Sequence, residues 1–317
     1  MKHLFIVGGI TGSMQEQLNG TFRSHFLKEM SDPAAWLADN GDSIEYVLTN
    51  GHDGLRPEYM AAMSNLKLIS NYGVGYDAID AELAAQRGIL VTHTPNVLNA
   101  EVATTALLLM LACYRELLAN DAHVRSGKWE TEGGTPLSHS ADNRTIGIVG
   151  LGRIGQAIAD KLAPFNPRIL YHSRSAKDVP YEYFADLTAM AAEADVLICI
   201  TPGGAGTHHL INQEVIEALG PQGLLINVAR GSVVDEAAMI DALESGKLGG
   251  AGLDVFEHEP RVPERLRALP NVVLTPHIGS GTVETRAAMG QLTVDNLLQH
   301  VAEGSVISPV PECADLI

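Results

Sequence analysis

Gly150-Leu151-Gly152-Arg153-Ile154-Gly155 follows a largely apolar, β-branched run, Thr145 to Val149, and opens a helical stretch, Gln156 to Ala163, that Pro164 stops. A strand that turns on glycines into a helix N-terminus is the context a dinucleotide fingerprint requires. Gly150 permits the tight turn. Gly152 lets the backbone approach a pyrophosphate, and Gly155 lets the helix pack close to the strand, with Leu151 of the same turn expected against the cofactor. Arg153 and Ile154 begin the helix, where unpaired amides and the helix dipole favour an anion.

The next strand, Arg168 to Tyr171, runs out into His172-Ser173-Arg174-Ser175 and then Lys177, with no Asp or Glu at its tip. An acid there would bond the ribose hydroxyls of NAD and repel a 2′-phosphate, whereas a guanidinium and serine hydroxyls bind one. This tip therefore points to NADPH, with NADH as a weaker alternative. The bland reading of Arg174 and Lys177 is that of ordinary solvated loop residues.

At 317 residues the chain has room for two domains with sizeable cores, and 46% hydrophobic content indicates a compact soluble protein. A formal charge of −17 argues against nucleic acid or an anionic membrane as partner. Cys113, Cys199 and Cys313 lie scattered without metal-ligand spacing, which suggests reduced thiols, a cytoplasmic setting and no metal site. Met1 to Val7 is too short for a signal sequence, and the apolar run Ala103 to Ala112 is too short to span a bilayer.

Strands alternate with helical stretches along the chain, which predicts an α/β protein with parallel sheets. The first set lies at His3 to Val7, Ile44 to Leu48, Leu66 to Ser70 and Ile89 to Thr92. Gly8-Gly9-Ile10-Thr11-Gly12 follows the first of these with the wrong spacing for a fingerprint and reads as a flexible loop. After a long apolar helix, Glu101 to Leu118, strands at Thr145 to Val149, Arg168 to Tyr171, Val196 to Ile200, Leu224 to Val228, Ala251 to Asp254 and Val272 to Thr275 predict a six-stranded doubly wound sheet. A last helix, Glu284 to Glu303, has nothing left to join there and is expected to return to the first domain. The expectation is two Rossmann-like doubly wound domains with a cleft between them: a substrate domain of residues 1–97 with 285–317, and a dinucleotide domain of residues 98–284.

Five segments together resemble the D-isomer-specific 2-hydroxyacid dehydrogenases: Gly73-Val74-Gly75-Tyr76-Asp77, the Gly150 to Gly155 turn, Asn227 to Gly231, Gly252 to Pro260, and Thr275-Pro276-His277-Ile278-Gly279. They stand in that family's order and spacing over nearly the whole chain. Within it the chain is most similar to the NADPH-preferring glyoxylate and hydroxypyruvate reductases, including the hydroxyphenylpyruvate reductases of plants.

Reduction of a 2-oxo acid needs a cation for the carboxylate, a proton donor for the developing alkoxide, and a group that keeps the donor protonated. Arg230 follows the fourth strand of the second set, at the edge where ligands of open α/β sheets bind, and as a planar fork can clamp a carboxylate. His277 follows the last strand and is the candidate donor. By the resemblance its partner is Glu259, the Glu before Pro260, while Glu257 is expected to be solvated. The resemblance also implies that Asp254 bonds the nicotinamide carboxamide, a loop-capping aspartate being the alternative. It implies further that Val74 and Gly75 offer amides to the substrate carboxylate, and that Val228, Ala229, Gly279, Thr201 and Pro202 line the cofactor. Thr207 either caps the next helix or bonds a phosphate. The expected reaction is NADPH-dependent reduction of glyoxylate or hydroxypyruvate to glycolate or D-glycerate by a homodimer, its surface formed by the helix from Glu101 and the segment after it. Alternatives are 2-ketogluconate or hydroxyphenylpyruvate reduction and, from another class, a non-enzymatic dinucleotide-sensing protein like the dehydrogenase-related corepressors.

Overall fold

The computed structural model describes all 317 residues, and the chain divides into two compact units: Met1–Leu98 with Thr282–Ile317, and Asn99–Gly281.

The first unit holds a parallel sheet of β1 (Lys2–Ile6), β2 (Phe22–Phe26), β3 (Tyr46–Asn50), β4 (Leu68–Tyr72) and β5 (Leu90–Thr92), in the spatial order β2-β1-β3-β4-β5. This is one of the two common doubly wound orders. Every residue of β4 is buried, as expected for a parallel strand covered on both faces. Around the sheet run α1 (Gly12–Leu18), α2 (Pro33–Asn40), α3 (Pro57–Ala62) and α4 (Ala81–Gln86). Strand β2 was not foreseen: it pairs only with β1, and its middle residues Arg23, Ser24 and His25 carry no apolar alternation.

The second unit has seven parallel strands where six were expected: β6 (Thr145–Val149), β7 (Arg168–His172), β8 (Glu182–Tyr183), β9 (Val196–Cys199), β10 (Leu224–Asn227), β11 (Gly250–Leu253) and β12 (Val272–Leu274). Their order is β12-β11-β10-β9-β6-β7-β8, so the winding reverses beside β6. The extra strand is a two-residue pairing of Glu182 and Tyr183 alongside β7. The expected helix Glu101 to Leu118 is two: α5 (Asn99–Tyr114) ends before Glu116, whose φ of 47° is left-handed, and α6 (Leu117–Arg125) departs at 61°. Helix α5 is a core helix, packed on β10, β11 and α8 (Arg153–Leu162). No single helix of the chain is long and apolar enough to cross a membrane.

Short helices α7 (Lys128–Glu132), α9 (Leu187–Glu193), α10 (Gln213–Leu219), α11 (Glu236–Glu244) and α12 (Glu264–Arg267) complete this unit. Its core is aliphatic, with Val149, Leu170, Leu197, Leu225 and Leu253 from successive strands all buried. Helix α13 (Val283–Glu303) belongs to the first unit, against β4 and α1.

Candidate active site

In the second unit, the segments picked out in the sequence all leave the C-terminal ends of parallel strands. They therefore share the sheet edge where the winding reverses. The three glycines after β6 have different physical reasons. Gly150 has a φ of 102°, and a side chain there would press on the Thr201 amide, 2.9 Å from the would-be Cβ. A Cβ on Gly155 would overlap the Gly150 carbonyl. A Cβ on Gly152 would meet no protein atom within 4 Å, so packing does not explain that glycine. It is the N-cap of α8, with no side-chain cap bond, and leaves the first amides of a ten-residue helix facing open space. Leu151 is buried beneath the turn, while Arg153 is exposed and Ile154 half-buried.

The tip of β7 is fastened through its backbone. His172 Nδ1 donates to the Phe184 carbonyl (2.9 Å), the Tyr183 hydroxyl donates to the Ser173 carbonyl (3.2 Å), and the Lys177 amide donates to the Tyr171 hydroxyl (2.8 Å). Ser173 Oγ donates to the Ser175 carbonyl at 2.7 Å, so its proton is spent within the tip. Arg174 is exposed and makes no hydrogen bond or ion pair in the chain. After β9, Thr201 carries a buried hydroxyl without a partner. Thr207 caps no helix: its hydroxyl donates to the Pro202 carbonyl (2.7 Å), and Asn212 caps α10 by accepting the Val215 amide.

After β10, Val228 and Ala229 are buried, and Asn227 braces the turn by accepting the Ala229 amide (3.0 Å) and donating to the Arg230 carbonyl (2.9 Å). Arg230 Nη1 donates to the Ala229 carbonyl at 2.9 Å. A side chain on Gly231 would collide with the backbone of Phe256 and Glu257, so this turn lies directly against the acidic one.

Asp254, almost wholly buried, organises the loop after β12. Its Oδ1 accepts the Thr275 hydroxyl and the Ile278 amide and its Oδ2 the Gly279 amide, each at 2.7 Å, while its carbonyl accepts the His277 amide at 2.9 Å. Burial pushes this carboxyl above the usual carboxylate range, against the opposing pull of those bonds. Held in this way, His277 takes a left-handed φ of 54° and directs its ring at the acidic turn. His277 Nδ1 donates to Glu259 Oε2 at 2.8 Å, and Glu259 Oε1 accepts the Phe256 amide at 3.1 Å. The His277 side chain is 42% exposed and that of Glu259 17%, so the carboxylate sits behind the imidazole. With Nδ1 occupied, Nε2 is the ring nitrogen without a partner in the chain.

Glu257 is not solvated, contrary to expectation: it accepts from His209 Nε2 at 2.9 Å, and His208 stacks on His209 with ring centroids 3.9 Å apart. The potential metal-ligand atoms of these three side chains lie within 4.8 Å of one another. The sequence offered no sign of this, since 48 residues separate His209 from Glu257. Val74 and Gly75 lie in the first unit, in the turn after β4, where neither backbone amide has an acceptor.

The fold agrees with the comparisons: the chain belongs to the D-isomer specific 2-hydroxyacid dehydrogenase family, whose NAD binding domain matches residues 107–279. This is a family of oxidoreductases. The chain is 45% identical over 291 residues to the glyoxylate/hydroxypyruvate reductase A of Arabidopsis thaliana, covering 91% of this chain and 93% of that one. It is 42% identical to the hydroxyphenylpyruvate reductase of Plectranthus scutellarioides, over 94% of this chain and 95% of the relative. Among solved structures it is similar to the NADPH-dependent glyoxylate/hydroxypyruvate reductase of Sinorhizobium meliloti in complex with NADP and malonate. That match has a TM-score of 0.93 and 44% identity, and covers 98% of this chain and 97% of the other.

Proposed function

We propose that this protein reduces a small 2-oxo acid, glyoxylate or hydroxypyruvate, to the D-2-hydroxy acid with NADPH, residues 98–284 holding the nucleotide and residues 1–97 with 285–317 the substrate. The observation that carries the reading is the His277 Nδ1–Glu259 hydrogen bond of 2.8 Å. Glu259 holds the ring by one nitrogen, which leaves Nε2 to hand a proton to the developing alkoxide. Arg230, braced by Asn227, supplies the planar cation for the substrate carboxylate and polarises the 2-oxo group. In the first unit, the Val74 and Gly75 amides, which have no acceptor, are donors suited to a carboxylate.

NADPH, when bound, supplies the hydride. Three features suit it: the open cradle at Gly152, the partnerless Thr201 hydroxyl, and the unpaired Arg174 at a β7 tip that bears no acid. Arg153 and Ile154 face the pyrophosphate, Ser173 and Ser175 flank the 2′-phosphate, and Pro202, Thr207, Val228, Ala229 and Gly279 form the walls. Asp254 spends three acceptor positions on the 275–279 loop and keeps one for a carboxamide. The same reading takes the protein as a cytoplasmic homodimer. Its contact surface would be the segment where Leu117, Leu118, Val124, Trp129 and Leu137 are exposed, Leu137 at 97%.

The test is initial-rate oxidation of NADPH and NADH with glyoxylate, hydroxypyruvate, hydroxyphenylpyruvate and 2-ketogluconate, for the native protein and for His277→Ala. The expected result is turnover of a small 2-oxo acid with NADPH and a loss of kcat of about a hundredfold or more in the variant. Turnover of none of the four with either nucleotide would move the protein to the dinucleotide sensors.

A further inference from the structure

The turn after β4 presents three successive carbonyls, and donors of the same unit engage all three. The side-chain Nδ2 of Asn71, fully buried, donates to both the Gly73 and the Gly75 carbonyls at 3.0 Å. The Gly73 oxygen also accepts the Thr94 amide at 2.9 Å. His93 Nδ1 donates to the Val74 carbonyl at 3.0 Å, and because a carbonyl only accepts, that nitrogen carries the proton.

A trans peptide is planar, with its N–H opposite its C=O. Fixing the Gly73 oxygen therefore aims the Val74 amide the other way, and fixing the Val74 oxygen does the same for Gly75. Neither of those amides has an acceptor, and nor does the Tyr76 amide that follows them. Asn71 makes these bonds while its Oδ1 lies buried with no partner. A side chain chosen only to fill the core would not carry that unmet acceptor, so the position is explained by its donor.

We propose that Asn71 and His93 are positioning residues for the substrate carboxylate: from behind the turn they set the direction of the Val74 and Gly75 amides. The inference rests on the reading that these amides bind substrate. Asn71 fixes the Gly73 carbonyl, and with it the Val74 amide, while its second bond ties the far end of the turn at Gly75; an aspartate in its place would turn acceptors against both carbonyls.

Steady-state kinetics of the whole enzyme with the best 2-oxo acid of the panel test this, together with melting midpoints, for Asn71→Ala, Asn71→Asp, His93→Ala, His93→Asn and Val74→Pro. The Asn71 variants are expected to raise the 2-oxo acid KM about tenfold or more, with kcat within about threefold and the nucleotide KM unchanged. His93→Ala should raise it about threefold, and His93→Asn, whose Nδ2 replaces the donor, should restore it. An unchanged 2-oxo acid KM overturns the proposal. So does a fall in kcat and melting midpoint together with a rise in the nucleotide KM, which marks a merely structural role. If the Asn71 variants do not fold, the two His93 variants decide alone. Val74→Pro removes one amide: if it leaves KM intact, the carboxylate reading itself fails, whereas a raised KM there beside normal Asn71 and His93 variants sinks only the positioning role.

Discussion

The turns that follow β1 and β6 begin alike and end differently. Each leaves a buried parallel strand, turns on a glycine with positive φ (88° at Gly8, 102° at Gly150) and enters a helix. After β1, Thr11 caps α1 by accepting the Met14 amide at 3.2 Å. The Asp53 carboxylate, held by Asn50 Nδ2 at 2.6 Å, stands where a Cβ on Gly8 would go. After β6 the cap is Gly152, which offers the helix no side-chain acceptor, and no protein atom lies within 4 Å of where its Cβ would be. One turn meets its need for an acceptor from its own side chains; the other does not, and it is the turn proposed to hold the nucleotide. Doubly wound topology thus provides the location twice, and the two copies differ in whether the N-cap residue satisfies the helix.

Four substitutions, at three positions, bear on that contrast. Gly152→Asp should weaken nucleotide binding about a hundredfold, about 2.7 kcal/mol, by placing a charge in the cradle. The melting midpoint should hold, because a Cβ there touches nothing. Titration calorimetry reads both nucleotides, and an unaltered Kd would falsify the cradle as the phosphate site. Arg174→Asp should cut the NADPH-over-NADH ratio of kcat/KM by about tenfold, about 1.4 kcal/mol, without changing the 2-oxo acid KM. In the capped turn, Thr11→Ala should cost about 1 kcal/mol in urea unfolding and Thr11→Gly only a few tenths. Neither should alter nucleotide affinity. A nucleotide effect of Thr11→Gly would show that Asp53 does not keep anions from the first turn.

The same contrast shows what could be read from sequence. Glycine spacing and β-branched runs exposed β6, the turn and α8, because backbone constraint leaves a residue-type signature. The strand-end positions of Arg230, Asp254 and His277 followed from the same alternation. Strand β2 escaped because Arg23, Ser24 and His25 break its apolar pattern, and β8 because two residues carry no period. The break after α5 falls at Glu116, where no Gly or Pro marks the left-handed residue. The His209–Glu257 pair and the spent proton of Ser173 depend on which side chains meet in space, and no local pattern encodes that.

The first unit also has an order of manufacture. Its sheet begins with Lys2, but β4 is covered by α13, and the edge of β5 is closed only by the tail. The His93 amide donates to the Ser308 carbonyl, the Val310 amide to the Val91 carbonyl, and Cys313 is buried beside them. A ribosome releases residues 99–281 before any of that cover exists. The second unit can therefore close while the earlier-made sheet still waits with bare apolar strands, which makes the nascent chain, rather than the finished enzyme, the stage most dependent on chaperones.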